Sequence, residues 1–179
     1  MKNSLLDFEQ LPVFSKIEPS QIRPAIESII AQNRQAIDHL ANQQEFCWDS
    51  LLKPLALLED RLSKAWSPVR HLNSVKSEKA LRDAYNDCLP LLSEYSTALS
   101  QNRKLFQGYC AIAKSDSFAD LAPAQKKAIE DAIRHFRLGG VNLEGEQRAR
   151  YQQLQKDLSE LQSSFENNLL DASQSWQKL

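Results

Sequence analysis

Residues 81–113 read LRDAYNDCLPLLSEYSTALSQNRKLFQGYCAIA. Within them Tyr85, Leu92, Leu99, Phe106 and Ala113 recur every seven residues, accompanied by Leu81, Cys88, Tyr95 and Tyr109. An apolar period of seven belongs to a helix packed lengthwise against neighbours, because two helical turns return those positions to one face. The stretch therefore predicts one long helix. Pro90 lies inside it, where its ring removes a backbone hydrogen bond and crowds the carbonyl of Asn86. A bend is expected there rather than a break, since the apolar period continues in phase. Gln101, on the other side from the heptad row, reads as exposed.

The flanking sequence repeats this logic. Ile22, Ile26, Ile29, Ile30, Ile37 and Leu40 share one face of a helix of about 20 residues, with Pro19 and Pro24 near its start, where a missing N–H is tolerated. A second helix is expected from near Trp48 to Trp66, with Leu51, Leu52, Leu55, Leu58, Leu62 and Ala65 as its stripe, closed by Ser67-Pro68. Residues 69–76 then read as a connection, with Ser74 or Ser77 available to cap the next helix. After residues 81–113, Pro123 opens a helix that ends at Gly139-Gly140 and buries Ala128, Ile129, Ala132, Ile133 and Phe136. The last helix runs from about Glu144 to beyond Asp171. Tyr151, Leu158, Phe165 and Ala172 form one of its heptad rows, and Leu154 and Leu161 lie on the next. It shows no stop signal before Leu179, which reads as a piece of something larger. Residues 1–18, with Leu11-Pro12-Val13-Phe14, look extended. The fold class is all-α: an antiparallel bundle of about five helices, two of them long, behind an extended N-terminal segment. In domain terms, 1–18 is that segment and 19–179 is helical.

Composition narrows the function classes. With 42% hydrophobic and 25% charged residues the chain has enough apolar content for a core, so wholesale disorder is excluded. A formal net charge of −1, with no segment concentrating Lys and Arg, argues against nucleic acid as a partner, since phosphate contacts demand a basic face. Cys47, Cys88 and Cys110 are an odd set without a CxxC pair, which points to a reducing compartment. The first residues hold no apolar signal core, and no apolar run approaches the roughly 18–20 residues that span a bilayer. A soluble, cytoplasmic protein without a membrane partner is the expectation.

No complete catalytic or metal-binding constellation is visible. A zinc protease needs two histidines one turn apart with a glutamate between them, and a di-iron bundle needs Glu-x-x-His. His39, His71 and His135 satisfy neither pattern. Asp131 and His135 share a helix face and read as a local charge pair rather than half a metal site. His39, beside Asp38 near a helix end, reads as a solvated group, and His71 as part of a turn. Cys88 and Cys110 occupy apolar helix positions, where a thiol is core rather than reagent, and Cys47 between Phe46 and Trp48 reads as a packed helix entry. No Gly-x-Ser-x-Gly elbow or phosphate-cradling glycine loop occurs, because Gly139-Gly140 follows a helix instead of opening one. The site assignment is accordingly empty: no catalytic, cofactor-binding or metal residue. Tyr95 and Tyr109 pack in the core, or line a groove or a docking surface; the sequence leaves these readings open.

Several blocks, in order, carry a family resemblance. They are residues 11–19 (LPVFSKIEP) with Pro24-Ala25-Ile26, Ser67-Pro68-Val69 with residues 71–76 (HLNSVK), and residues 89–96 (LPLLSEYS). Residues 124–128 (AQKKA), 167–172 (NNLLDA) and Trp176 complete the set. Together they resemble the N-terminal region of the thimet-oligopeptidase-like zinc peptidases across nearly all of the chain. The resemblance implies a large, mostly helical enzyme whose halves enclose a deep channel, where short unfolded peptides are cut internally by a zinc-bound water. It implies that the zinc ligands lie beyond Leu179 in a catalytic domain, which would be this chain's main partner, and that these residues form a channel wall. The competing expectation is a self-contained helical adaptor that binds a partner helix in an apolar groove.

Overall fold

The computed structural model describes residues 3–76 and 78–176. Six α-helices follow one another: α1 Pro19–Ala41, α2 Lys53–Val75, α3 Lys79–Ser100, α4 Arg103–Lys114, α5 Pro123–Leu138 and α6 Gly145–Ser175. No strand occurs among the described residues. Before α1 the chain is extended apart from two single 3-10 turns, Ser4–Leu6 and Phe14–Lys16. Leu5 is buried, and the Asn3 amide donates to the Gln21 carbonyl at 2.8 Å, so this segment is fastened to α1.

Helix α1 is the centre of the bundle. Its isoleucine face is buried as the period requires, with Ile22, Ile26 and Ile29 at 0% exposure, and it packs against both α2 and α3. A turn of π-helix, Trp48–Leu52, leads into α2, with Pro54 in the first turn. The expected stop at Ser67-Pro68 is not observed. Helix α2 continues for two further turns, because Pro68 and Val69 are both buried and their packing outweighs the single hydrogen bond that proline removes. Residues 69–75 are thus helical rather than a connection, and His71 lies on α2. Ser74 bonds back to the His71 carbonyl and caps nothing; Ser77 lies outside the described residues. Trp66 of α2 stacks on Tyr85 of α3, with ring centroids 4.9 Å apart.

The long helix expected over residues 81–113 is two helices. Pro90 lies within α3 without ending it, and the break falls eleven residues later, at Gln101-Asn102. There Asn102 accepts the Leu105 N–H through its side chain, a helix N-cap in the middle of an apolar heptad. The buried row shifts by one residue at the break: Leu81, Tyr85, Cys88 and Tyr95 are buried in α3 and Leu105, Gly108 and Ile112 in α4, while Leu92, Leu99 and Phe106 are only partly buried against the core. Gln101, expected on the surface, is 1% exposed.

Helix α5 ends as Gly139-Gly140 predicts. Gly140 has φ 81°, the Val141 N–H reaches the Phe136 carbonyl, and the Gly140 N–H reaches that of Arg137. Ile129 and Phe136 are buried, whereas Ala128 is exposed, one position off the face that meets α4. Arg103 at the start of α4 then clamps the next turn, bonding the Val141 carbonyl at 3.3 Å and the Glu144 carboxylate at 2.6 Å.

Candidate interaction surface along α3 and α6

Helix α6 spans 31 residues, about 46 Å at 1.5 Å per residue. It lies antiparallel to α3, the one helix with which it shares an extensive interface. Three polar clusters hold the pair. At one end Gln101 Oε1 accepts from Arg148 Nε at 3.1 Å and from Gln152 Nε2 at 2.8 Å. Midway, Asn86 Oδ1 accepts from Ser163 at 3.2 Å and from Asn167 at 3.5 Å. At the far end Arg82 pairs with Asp171 at 2.6 Å.

Between these clusters the seam opens. One groove of about 580 Å³ is lined by Pro90, Glu94 and Thr97 of α3 and by Gln152, Gln153 and Lys156 of α6. A second, of about 360 Å³, lies between Asn86 and Leu89 on one side and Ser159, Ser163 and Asn167 on the other. Their walls mix amides and hydroxyls, which both donate and accept hydrogen bonds, with the charged groups Glu94 and Lys156 in the first groove and Glu160 in the second.

The apolar rows of α6 do not meet α3. Leu154 and Leu158 are 48% exposed, Leu161 and Phe165 69%, and Leu169 58%. The heptad rows of the last helix are a surface stripe. The physical reason is the seam itself: polar side chains occupy the α3-facing side, so the apolar side turns outward.

The residues singled out for chemistry are scattered. His39 is exposed at the end of α1. His71 is exposed on α2 and meets the Phe14 ring edge-on at 5.6 Å, and His135 is exposed on α5. Asp131 bonds Lys127 at 2.8 Å and Arg134 at 3.0 Å rather than His135, and the Lys127 hydrogen bond holds its carboxyl below the usual range. Cys88 is fully buried and its thiol is pushed up to about 11 by that burial. Cys47 is exposed rather than packed. Its sulfur accepts the Ser50 N–H at 3.4 Å and its own N–H donates to Ser50 Oγ; the Ser50 hydroxyl, followed by the Ser50 N–H, lowers the pKa of the thiol. Tyr95 and Tyr109 belong to the core side of the choice left open by sequence. Tyr95 is 5% exposed and its hydroxyl contacts Asn33 Nδ2 at 3.3 Å. Tyr109 packs on Phe136 at 5.4 Å, and burial pushes its hydroxyl up to about 12. Among the described residues no three His, Cys, Asp or Glu side chains are grouped to hold a metal ion. A zinc ion does not fit the donors present here.

Sequence reasoning missed Gln101 and the polar α3–α6 seam. A signal was present: Arg148, Gln152, Ser159, Ser163 and Asn167 recur at four- and seven-residue intervals, a polar face as regular as the apolar one.

A helical bundle with this order of helices is a scaffold, and the comparisons define which one. Residues 26–148 match the family model described as neurolysin/thimet oligopeptidase, N-terminal domain, and the chain belongs to that family. It is 49% identical over 179 residues to oligopeptidase A of Haemophilus influenzae and 42% identical over 180 residues to that of Escherichia coli K12, in both cases along all of its own length. A probable cytosolic oligopeptidase A of Arabidopsis thaliana is 29% identical over 177 residues. The chain spans about a quarter of these relatives: 26% of both bacterial proteins and 25% of the plant one. No helix among the described residues is long and apolar enough to cross a membrane.

Proposed function

We propose that this chain is the N-terminal helical part of a zinc-dependent oligopeptidase, a cytoplasmic enzyme that cuts short unfolded peptides internally. The observation that carries the reading is the match to oligopeptidase A along the whole chain but over only 26% of the bacterial relatives. The remaining three quarters of such a protein is where the zinc ligands and the reacting water are assigned, in a catalytic domain that is this chain's partner. Residues 19–179 act as one helical unit that precedes it.

On this reading the bundle contributes a channel wall. Long helices joined by few connections suit that role, since a rigid wall admits an extended peptide while excluding a folded protein. The longer enzyme is expected to hydrolyse a quenched fluorescent peptide of about ten residues and to leave the same sequence intact within a folded domain. Equal cleavage of both substrates would overturn the size-restricting role.

A further inference from the structure

Helix α6 reverses the usual arrangement of an amphipathic helix. At about 100° per residue, Gln152, Ser159, Ser163 and Leu170 fall within roughly 20° of a common direction, the one that faces α3. On the same wheel Leu154, Leu158, Leu161, Phe165, Leu169 and Trp176 centre roughly 140° away. These six side chains are between 48% and 71% exposed. Burial of apolar surface normally decides which side of a helix faces its neighbours. Here hydrogen bonds donated by Arg148, Gln152 and Ser163 to Gln101 and Asn86 fasten the polar side, and the apolar side is left uncovered.

We infer that the outward stripe of α6, from Leu154 to Trp176, is the docking face for the catalytic remainder of the longer chain, and that a helix of that remainder lies along it. This rests on the peptidase reading above. The stripe advances by four and three residues, the spacing at which a helix receives the side chains of another helix in a lengthwise seam. It runs for about 33 Å as a contiguous row, whereas apolar residues that need no partner are scattered singly over a surface. The relatives carry the whole of α6 within their matched quarter and have about three times as much chain again with which to cover it. The family describes the matched unit as N-terminal, so that remainder follows α6. A covalently attached partner acts at an effective concentration on the order of millimolar, which favours it over a second free copy.

Maleimide labelling of the full-length protein tests the assignment, with modified sites located by peptide mass spectrometry. Leu161→Cys and Phe165→Cys sit on the stripe, and Glu160→Cys is an exposed control on the same helix. Both stripe thiols are expected to react at least about tenfold more slowly than the control at every protein concentration. Equal rates would overturn the docking face. Protection that vanishes on dilution would overturn it in favour of a second copy. Two stripe positions are used so that one variant that unfolds, as seen by circular dichroism, leaves the other to decide. Peptidase activity of the unmodified full-length protein is measured in parallel: protected thiols on an inactive protein would refute the peptidase reading while leaving the docking face intact.

Discussion

Replacing Gln101 by alanine removes a buried side chain that, with Arg103, ties the α3–α4 break to the start of α6. Gln101 is 1% exposed, and its Oε1 accepts both the Arg148 and the Gln152 donors. A hydrogen bond from a charged donor contributes about 1.5–3 kcal/mol and a neutral one about 0.5–1.5 kcal/mol. The small cavity adds about 1 kcal/mol. Against this, the Gln101 Nε2 has no hydrogen-bond partner, so its removal returns about 1–3 kcal/mol. The balance is a net loss of about 2 kcal/mol. Gln101→Glu keeps both acceptor contacts, drops the unpartnered amide and places a carboxylate beside the Arg148 guanidinium, so it should cost less than alanine. Urea unfolding followed by circular dichroism measures both through the shift in midpoint at constant slope. If Gln101→Ala stays within roughly ±0.5 kcal/mol of the parent, as an ordinary surface substitution does, the polar clamp stabilises nothing.

Other variants test the core and the thiols. Leu105→Ala, at a fully buried site, should cost about 2–5 kcal/mol, and Leu92→Ala, only partly buried, about half as much; denaturant midpoints decide whether that order holds. Stability should fall as pH rises from about 9 towards 11. The folded state keeps the Cys88 proton up to a pKa of about 11 while the unfolded chain releases it near 9, so the unfolded state binds fewer protons in that window. Cys88→Ala, compared with its own neutral-pH stability, should make the fall shallower there, the remainder coming from Tyr109, whose hydroxyl burial pushes up to about 12. Cys47 should react first with a disulfide reagent at pH 8, well ahead of buried Cys88, and Ser50→Ala should slow it by removing a contact that favours the thiolate.

Much of the bundle is legible in the sequence because burial leaves a period. The isoleucines of α1 and the Pro123-to-Gly140 frame of α5 needed no tertiary information: one is a stripe, the other a pair of backbone constraints. The misreadings have a common origin. Pro68 and Asn102 are local signals of opposite outcome, a helix breaker overridden by burial of the proline and its neighbour, and a cap that interrupts an uninterrupted heptad. Periodicity alone ranks neither, since the apolar residues of the sequence run on through both, although at Asn102 the buried positions shift by one residue. For α6 the heptad correctly marked an apolar face but could not say what covers it. In the absence of a neighbour on that side, the face is surface. The empty site assignment rests on residue spacing alone.

The central claim is that peptide hydrolysis belongs to the longer protein and not to these 179 residues. Zinc content and turnover of one quenched peptide, measured side by side on the purified 179-residue chain and the full-length protein, test it most directly. About one zinc per chain together with turnover is expected in the full-length protein, with neither in the shorter chain. Tightly bound zinc in the 179-residue chain, or turnover above a metal-free control, would contradict the account.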